Sequence, residues 1–335
     1  FILSDDHTSQ AWGIYGEVLA EYAHNANIRR LAKEGVVLDN CFCTNSISAP
    51  SRASILTGLY SHRNRLYTLA DSLDTSIPTL ATLLQANGYH TGLVGKWHIQ
   101  SQPQGFDYYS IFFDQGEYRD PTFIESTDPW PGNRRFGERV LGFSTDLVTE
   151  KAIKWIKQQD GKQPFMMCCH FKATHEPYDY PIRMEHLYDG VTFPEPENLL
   201  DWGPETNGRS FVGQTLEELE RRWRIASQDP DKWWCRYPGL PFSTEGMQRT
   251  AARKAAYQKF IRDYMRCGAT VYDNIGKLLK TLDEMGIADN TIVVYVSDQE
   301  IYYRYWTNHA IRPAHFAIRS DRYKLIFYYA RNLDM

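Results

Sequence analysis

No apolar run of about 18 residues interrupts the sequence, so no segment reads as a membrane-spanning helix. Charge of either sign is nearly balanced. The 37 basic and 41 acidic side chains leave −4 at neutral pH, too little to argue for nucleic acid or an anionic membrane surface as a partner. Cysteine is scarce: six in 335 residues, at Cys41, Cys43, Cys168, Cys169, Cys235 and Cys267. None has the C-x-x-C spacing of a zinc site, so each reads as a core or strand residue. Internal repeats and low-complexity linkers are lacking as well. The chain opens on Phe1-Ile2-Leu3, inside what reads as a buried strand, with neither an initiator methionine nor a signal peptide. The expectation is an N-terminus that has lost its leader, and a periplasmic or secreted location.

What is present is the composition of a globular protein, with 42% hydrophobic and 23% charged residues. Aromatics reach 14%, which suits a sugar-binding cleft but suits a large core equally well. The pattern alternates strands and helices, which predicts an α/β fold: a largely parallel central sheet flanked by helices on both faces. Strands are expected at 1–4, 36–38, 91–94, 165–169, 291–296 and 323–329. Helices are expected at 27–34, 48–57, 78–86, 144–158 and, as one long stretch, straight or bent, 250–282. Ser48 has the look of a helix cap, with Pro50 in the first turn and Gly58 beyond the end. The Trp-, Pro- and acid-rich stretch 179–247 has weak periodicity and reads as an insertion near the cleft.

The polar residues at the strand ends are the informative ones. Asp5 and Asp6 follow the first strand, Lys96 and His98 the strand ending at Val94, His175 the strand near Phe171, and Asp298 and Gln299 the strand ending at Val296. In open α/β sheets the ligand crevice lies outside the carboxyl ends of the strands. Three carboxylates and one amide carbonyl make a hard-oxygen set suited to calcium, with magnesium second. A divalent cation would remove their mutual repulsion and polarise an anionic ester. Taken singly, each acid reads as a cap or turn residue, and Arg52, one helical turn past Ser48, reads as a surface ion pair. Its functional reading is a cation holding an anion at a helix N-terminus.

The run Ser48-Ala49-Pro50-Ser51-Arg52-Ala53-Ser54-Ile55-Leu56-Thr57-Gly58 resembles the sulfatase signature, (Cys or Ser)-x-Pro-Ser-Arg followed by a short helix and Thr-Gly. Asp5-Asp6, Gly95-Lys96-Trp97-His98, His175-Glu176-Pro177-Tyr178 and Ser297-Asp298-Gln299 resemble the other family blocks, in the same order. The resemblance implies an alkaline phosphatase-like fold, with a catalytic domain at 1–299. It implies that Ser48 is oxidised to formylglycine, whose gem-diol hydrolyses sulfate esters with calcium held by Asp5, Asp6, Asp298, Gln299 and the modified Ser48. Arg52 and Lys96 would stabilise the gem-diol and sulfate. His98 would contact the hydroxyl that eliminates sulfate, and His175 would protonate or hold the leaving oxygen. A serine at position 48 is similar to the anaerobic bacterial branch, which depends on a radical-SAM maturating enzyme as partner. An engineered replacement of cysteine leaves the same residue.

The texture is closest to bacterial enzymes acting on glycosaminoglycan or mucin sulfates, which resemble N-acetylglucosamine-6-sulfatases. In such enzymes the late segment borders the sugar, which makes Arg312 and His315 substrate candidates beside Tyr303, Arg304 and His309; for each, a surface position is the plainer reading. The pattern breaks after Gln299, which runs directly into Glu300-Ile301-Tyr302-Tyr303-Arg304. The family's glycine, and a loop with a further lysine, have no counterpart there. A stretch is expected to be absent, leaving 300–335 as a partial, smaller C-terminal α+β segment. Two rivals remain: a phosphatase or phosphonate monoester hydrolase of the same superfamily, and a glycan-binding pseudoenzyme.

Overall fold

The structure is a computed structural model. It describes residues 1–16, 18–38, 41, 43–112, 114–130, 137–197, 199–200, 215–229 and 239–298, and beyond these the backbone of three strands at 304–305, 315–319 and 324–328. In chain order the elements are β1 (Ile2–Ser4), α1 (Ala26–Glu34), α2 (Ser48–Thr57), α3 (Ser61–Asn64), α4 (Leu80–Ala86), β2 (His90–Lys96), β3 (Tyr108–Phe112), β4 (Thr122–Glu125) and β5 (Glu138–Arg139). Then follow α5 (Ser144–Lys157), β6 (Phe165–His170), α6 (Leu216–Gln228), α7 (Arg249–Glu284), β7 (Tyr295–Ser297), β8 (Arg304–Tyr305), β9 (His315–Arg319) and β10 (Lys324–Tyr328).

Among the described residues seven strands form one mixed sheet in the order β5-β4-β3-β2-β6-β1-β7. The run from β3 to β7 is parallel throughout, and β4 and β5 add antiparallel pairs at one edge. Both faces are covered, which is why the central strands are apolar on successive residues rather than on alternate ones. On β2, Val94 packs among residues of α1, α5 and α7, whereas Leu93 packs with α2 and α4. Cys169 and Cys168 on β6 divide between the same two layers. The second sheet is antiparallel, β10-β9-β8. Among the described residues no helix is long and apolar enough to cross a membrane.

Local signals set most of the boundaries. Gly58 ends α2 in the left-handed region (φ 66°), with its N–H donating to Ser54 O at 2.9 Å. Thr79 and Thr82 form a reciprocal capping box at the start of α4. Gly95 lets β2 approach β6 closely. A Cβ there would lie 1.9 Å from the His170 carbonyl oxygen, and φ is +103°.

Several expectations need correction. Residues 36–38 form no strand, and Val36 and Leu38 are exposed. The strand expected at 291–296 shrinks to β7, because Ile292 projects into solvent. Ile47, not Ser48, occupies the cap of α2, so Ser48 is its first helical residue. The stretch 179–247 contains a full amphipathic helix, α6, whose Leu219, Trp223 and Ala226 pack on Ala256 of α7. The long helical stretch expected at 250–282 is present as α7, a continuous element of 36 residues. Cysteines do not all belong to the core, since Cys41 is exposed and Cys43 is half-buried. Cys235 lies outside the described residues.

Candidate active site at the strand ends

The parallel strands deliver their C-terminal residues to one rim. Asp5 and Asp6 leave β1, and Asp298 leaves the adjacent β7. One carboxylate oxygen from each lies within 4.8 Å of the other two. The backbone N–H of Asp6 donates to Asp298 Oδ1 at 3.1 Å, which joins the two strand ends. Asp6 takes a left-handed backbone (φ 59°), a costly conformation for a non-glycine residue that its surroundings must hold in place. Its Oδ1 is buried with no hydrogen-bond partner.

Three side chains from other elements converge on Asp5. Ser48 Oγ donates to Asp5 Oδ1 at 3.1 Å from the first turn of α2. That helix start has no side-chain cap, so its N–H groups remain available to an anion. Arg52 is fully buried and reaches Asp5 Oδ1 (3.3 Å), Asp298 Oδ2 (3.1 Å) and the Lys96 carbonyl (2.8 Å). Lys96, also fully buried at the end of β2, ion-pairs with Asp5 Oδ2 and donates to Gln115 Oε1 at 2.6 Å.

The charges are unevenly matched. Burial raises the Asp5 pKa, but Lys96, a hydrogen bond with Asp298 and Arg52 outweigh it and hold the carboxyl well below its usual range. Burial and the neighbouring Asp5 charge push Asp6 up to about 7 and Asp298 well above the carboxylate range. Two of the three carboxyls therefore favour a proton when no other positive charge is near. A divalent cation supplies that charge, and three carboxylates with one unpartnered oxygen fit a hard cation.

Two histidines complete the rim. His175 Nδ1 donates to the Glu176 carbonyl at 2.8 Å, which leaves Nε2 bare and 3.7 Å from Asp6 Oδ2. Burial pushes this imidazole down to about 3, with Lys96 and Lys172 adding to the effect. His98, also left-handed (φ 49°), turns Nε2 toward Asp114 Oδ1 at 3.4 Å. Its Nδ1 is buried without a partner. Burial lowers its pKa as well, against the hydrogen bond to Asp114.

The sulfatase family profile matches residues 1–317. This chain belongs to the sulfatase family. It is 35% identical to the N-acetylglucosamine-6-O-sulfatase of Bacteroides thetaiotaomicron, over 90% of this chain and 58% of that one. It is 29% identical to human N-acetylgalactosamine-6-sulfatase, over 89% and 48%. A solved protein in complex with its substrate D-glucosamine-2-N,6-O-disulfate superimposes with a TM-score of 0.76 at 32% identity, over 89% of this chain and 64% of the other. A phosphonate monoester hydrolase from Silicibacter pomeroyi shares the fold, with a TM-score of 0.61 at 19% identity. The chain spans about half to three fifths of the length of these curated relatives.

Within this sulfatase fold, seven of the expected site residues meet at one rim: Asp5, Asp6, Ser48, Arg52, Lys96, His98 and Asp298, with His175 beside Asp6. Gln299 and Arg312 lie outside the described residues, as do Tyr303, His309 and the junction after Gln299. His315 begins β9, and only its backbone is described. Sequence reasoning missed Lys172, which is buried just past the end of β6 with Nζ donating to Gln115 O at 3.2 Å and lying 5.2 Å from the Tyr118 ring centre. It also missed Asp114 and Gln115, which follow β3. The signal was available: both are polar groups after apolar strands, as at the other four strand ends.

Proposed function

We propose that the protein hydrolyses sulfate esters on sulfated glycans of the glycosaminoglycan or mucin type, with 6-O-sulfated hexosamine the favoured target. The observation that carries this reading is the position of Ser48: its Oγ bonds Asp5 within the carboxylate set, at an uncapped helix start, beside two buried cations. The names of the relatives support the sugar and the sulfate position.

Asp5, Asp6 and Asp298 would hold calcium, with Gln299 as the fourth protein ligand. The bound cation would neutralise the acids and polarise a sulfate oxygen. Ser48 is the position at which oxidation to formylglycine would furnish the nucleophile, through a maturating enzyme of the radical-SAM type. Arg52 and Lys96 balance the charge of the entering sulfate, and the free N–H groups of α2 orient its oxygens. The bare Nδ1 of His98 can accept a hydroxyl proton, and the bare Nε2 of His175 can take a proton and return it to the leaving sugar oxygen. A periplasmic or secreted location suits a polymeric sulfated substrate.

Peptide mass spectrometry across Ser48 tests the chemistry on protein from its native host or from a host carrying a serine-type maturase. Loss of two hydrogens, about 2 Da, is expected, together with sulfate release from N-acetylglucosamine 6-sulfate. An unmodified Ser48 in native-host protein, or phosphate ester hydrolysis that outpaces sulfate release, would overturn the proposal.

A further inference from the structure

We infer that His7 is a positioning residue for the cation site: it clamps the Asp6 turn to β7 and α7 through a one-directional chain of hydrogen bonds. The inference rests on the reading of Asp5, Asp6 and Asp298 as cation ligands and says which residues keep them in register.

His7 is fully buried, ringed by Trp12, Tyr264, Tyr272 and Tyr295 with centroids 5.4–6.2 Å away. Both of its ring nitrogens are engaged: Nδ1 with Tyr295 Oη at 2.5 Å and Nε2 with Tyr272 Oη at 3.0 Å. The direction of each bond follows from proton counting. Tyr272 Oη donates its single proton to the Ala11 carbonyl at 2.6 Å, because a carbonyl can only accept. Tyr272 must then accept from His7, which places the proton of the neutral ring on Nε2. Nδ1 is left bare and accepts from Tyr295. Tyr295, its proton spent, accepts from Ser4 Oγ at 2.6 Å. The order Ser4 to Tyr295 to His7 to Tyr272 to Ala11 is the only one that uses each proton once. Enclosure by four aromatic side chains, with both ring nitrogens bonded to phenol oxygens and neither to a carboxylate, keeps the ring neutral.

This chain matters because of what its members carry. Tyr295 lies on β7, three residues before Asp298, and His7 directly follows Asp6. The bond between them therefore ties the two strand ends whose carboxylates must converge. The same turn is held from its backbone: His7 N–H donates to Ser297 Oγ at 3.1 Å. Tyr264 Oη receives Thr8 N–H at 2.7 Å and donates to Asp6 O at 2.9 Å, and Thr174 Oγ1 adds a second bond to that carbonyl at 3.1 Å. These bonds account for a left-handed Asp6 whose Oδ1 is left unpartnered. Relaxation of the turn would let Asp6 return to ordinary backbone geometry and swing that oxygen away.

The test uses calcium chloride titrated into the metal-free full chain by calorimetry, for wild type, His7→Gln and Tyr295→Phe, with melting temperature recorded in chelator. Tyr295→Phe removes one hydroxyl and keeps the ring, so it guards against a His7 variant that fails to fold. The expected result is a calcium dissociation constant raised about 10–100-fold in the folded variants, the range typical of residues that orient metal ligands. Calcium should also raise the melting temperature less in the variants than in wild type. Affinity within about threefold of wild type in a folded Tyr295→Phe overturns the positioning role alone. Wild-type protein that binds no divalent cation overturns the cation site, and this inference with it.

Discussion

Arg52 meets Asp298 Oδ2 through two nitrogens, Nε and Nη2, each at 3.1 Å, and neither side chain is open to solvent. The pair joins the signature helix α2 to the end of β7, and the same guanidinium reaches Asp5 just past β1. Arginine's planar fork makes this triple engagement possible, and lysine could not reproduce it. Arg52→Ala would take the guanidinium from the buried Asp298 and leave Asp5 with Lys96 as its cation. It is expected to lower stability by about 3–5 kcal/mol, measured by urea unfolding in the presence of chelator. A loss below about 1 kcal/mol would mean that the acids are already satisfied without it.

The bare Nε2 of His175 makes a second expectation. His175→Asn should lower turnover by about 100- to 10,000-fold, the span of lost general acid–base catalysis. Calcium affinity should hardly change, because the imidazole is 3.7 Å from Asp6 and does not bond it. Rates with good and poor leaving groups separate this from a packing effect: a substrate whose leaving oxygen needs no proton should be spared.

The Asp6 carboxyl, pushed from the ordinary 3.8 to about 7 by burial and Asp5, predicts a pH dependence for the metal-free protein. A folded pKa above the unfolded one favours folding when the proton is bound. That contribution is complete below about pH 4 and is lost as pH rises through about 7. The cation competes for the same oxygen, so its apparent affinity should strengthen as pH rises through about 7. Calcium titrations at several pH values check the sign; affinity that weakens as pH rises over this range would refute the assignment.

Trp223 is completely buried between α6 and α7, facing Phe242 edge-on at 5.4 Å between ring centres. Trp223→Ala should cost about 3–5 kcal/mol as a large-to-small core change, again by urea unfolding. The effect should extend to the rim, because Arg222 beside it ion-pairs with Glu176, the neighbour of His175. If unfolding of the variant is as cooperative and as late as in wild type, α6 contributes no core.

Much of this protein was legible from local signals. A helix from Ser48 to Thr57 follows from Pro50 in the first turn and Gly58 beyond the end, and the burial of β6 follows from its unbroken apolar run Phe165 to Cys169. Lys96, His98, His175 and the three acids could be picked out because a polar residue after a buried strand marks the ligand rim of a parallel sheet. Helix α6 was missed although Leu216, Leu219, Trp223 and Ala226 recur at helical spacing, since the acidic and basic residues between them masked the period. Residues 36–38 were read as a strand because apolar character alone does not supply a pairing partner.

What the sequence determined by itself was the identity of the chemical groups and the elements that bear them. Tertiary structure decided their company. Asp6 and Asp298 are 292 positions apart and become neighbours only because β1 and β7 pair in parallel. Which carboxyl keeps its charge, which nitrogen of His175 and His98 stays bare, and which way the protons run through His7 all depend on distances of about 3 Å between groups remote in the chain. Hydrogen bonds and buried charges act only at that range, so no spacing along the sequence could have specified them.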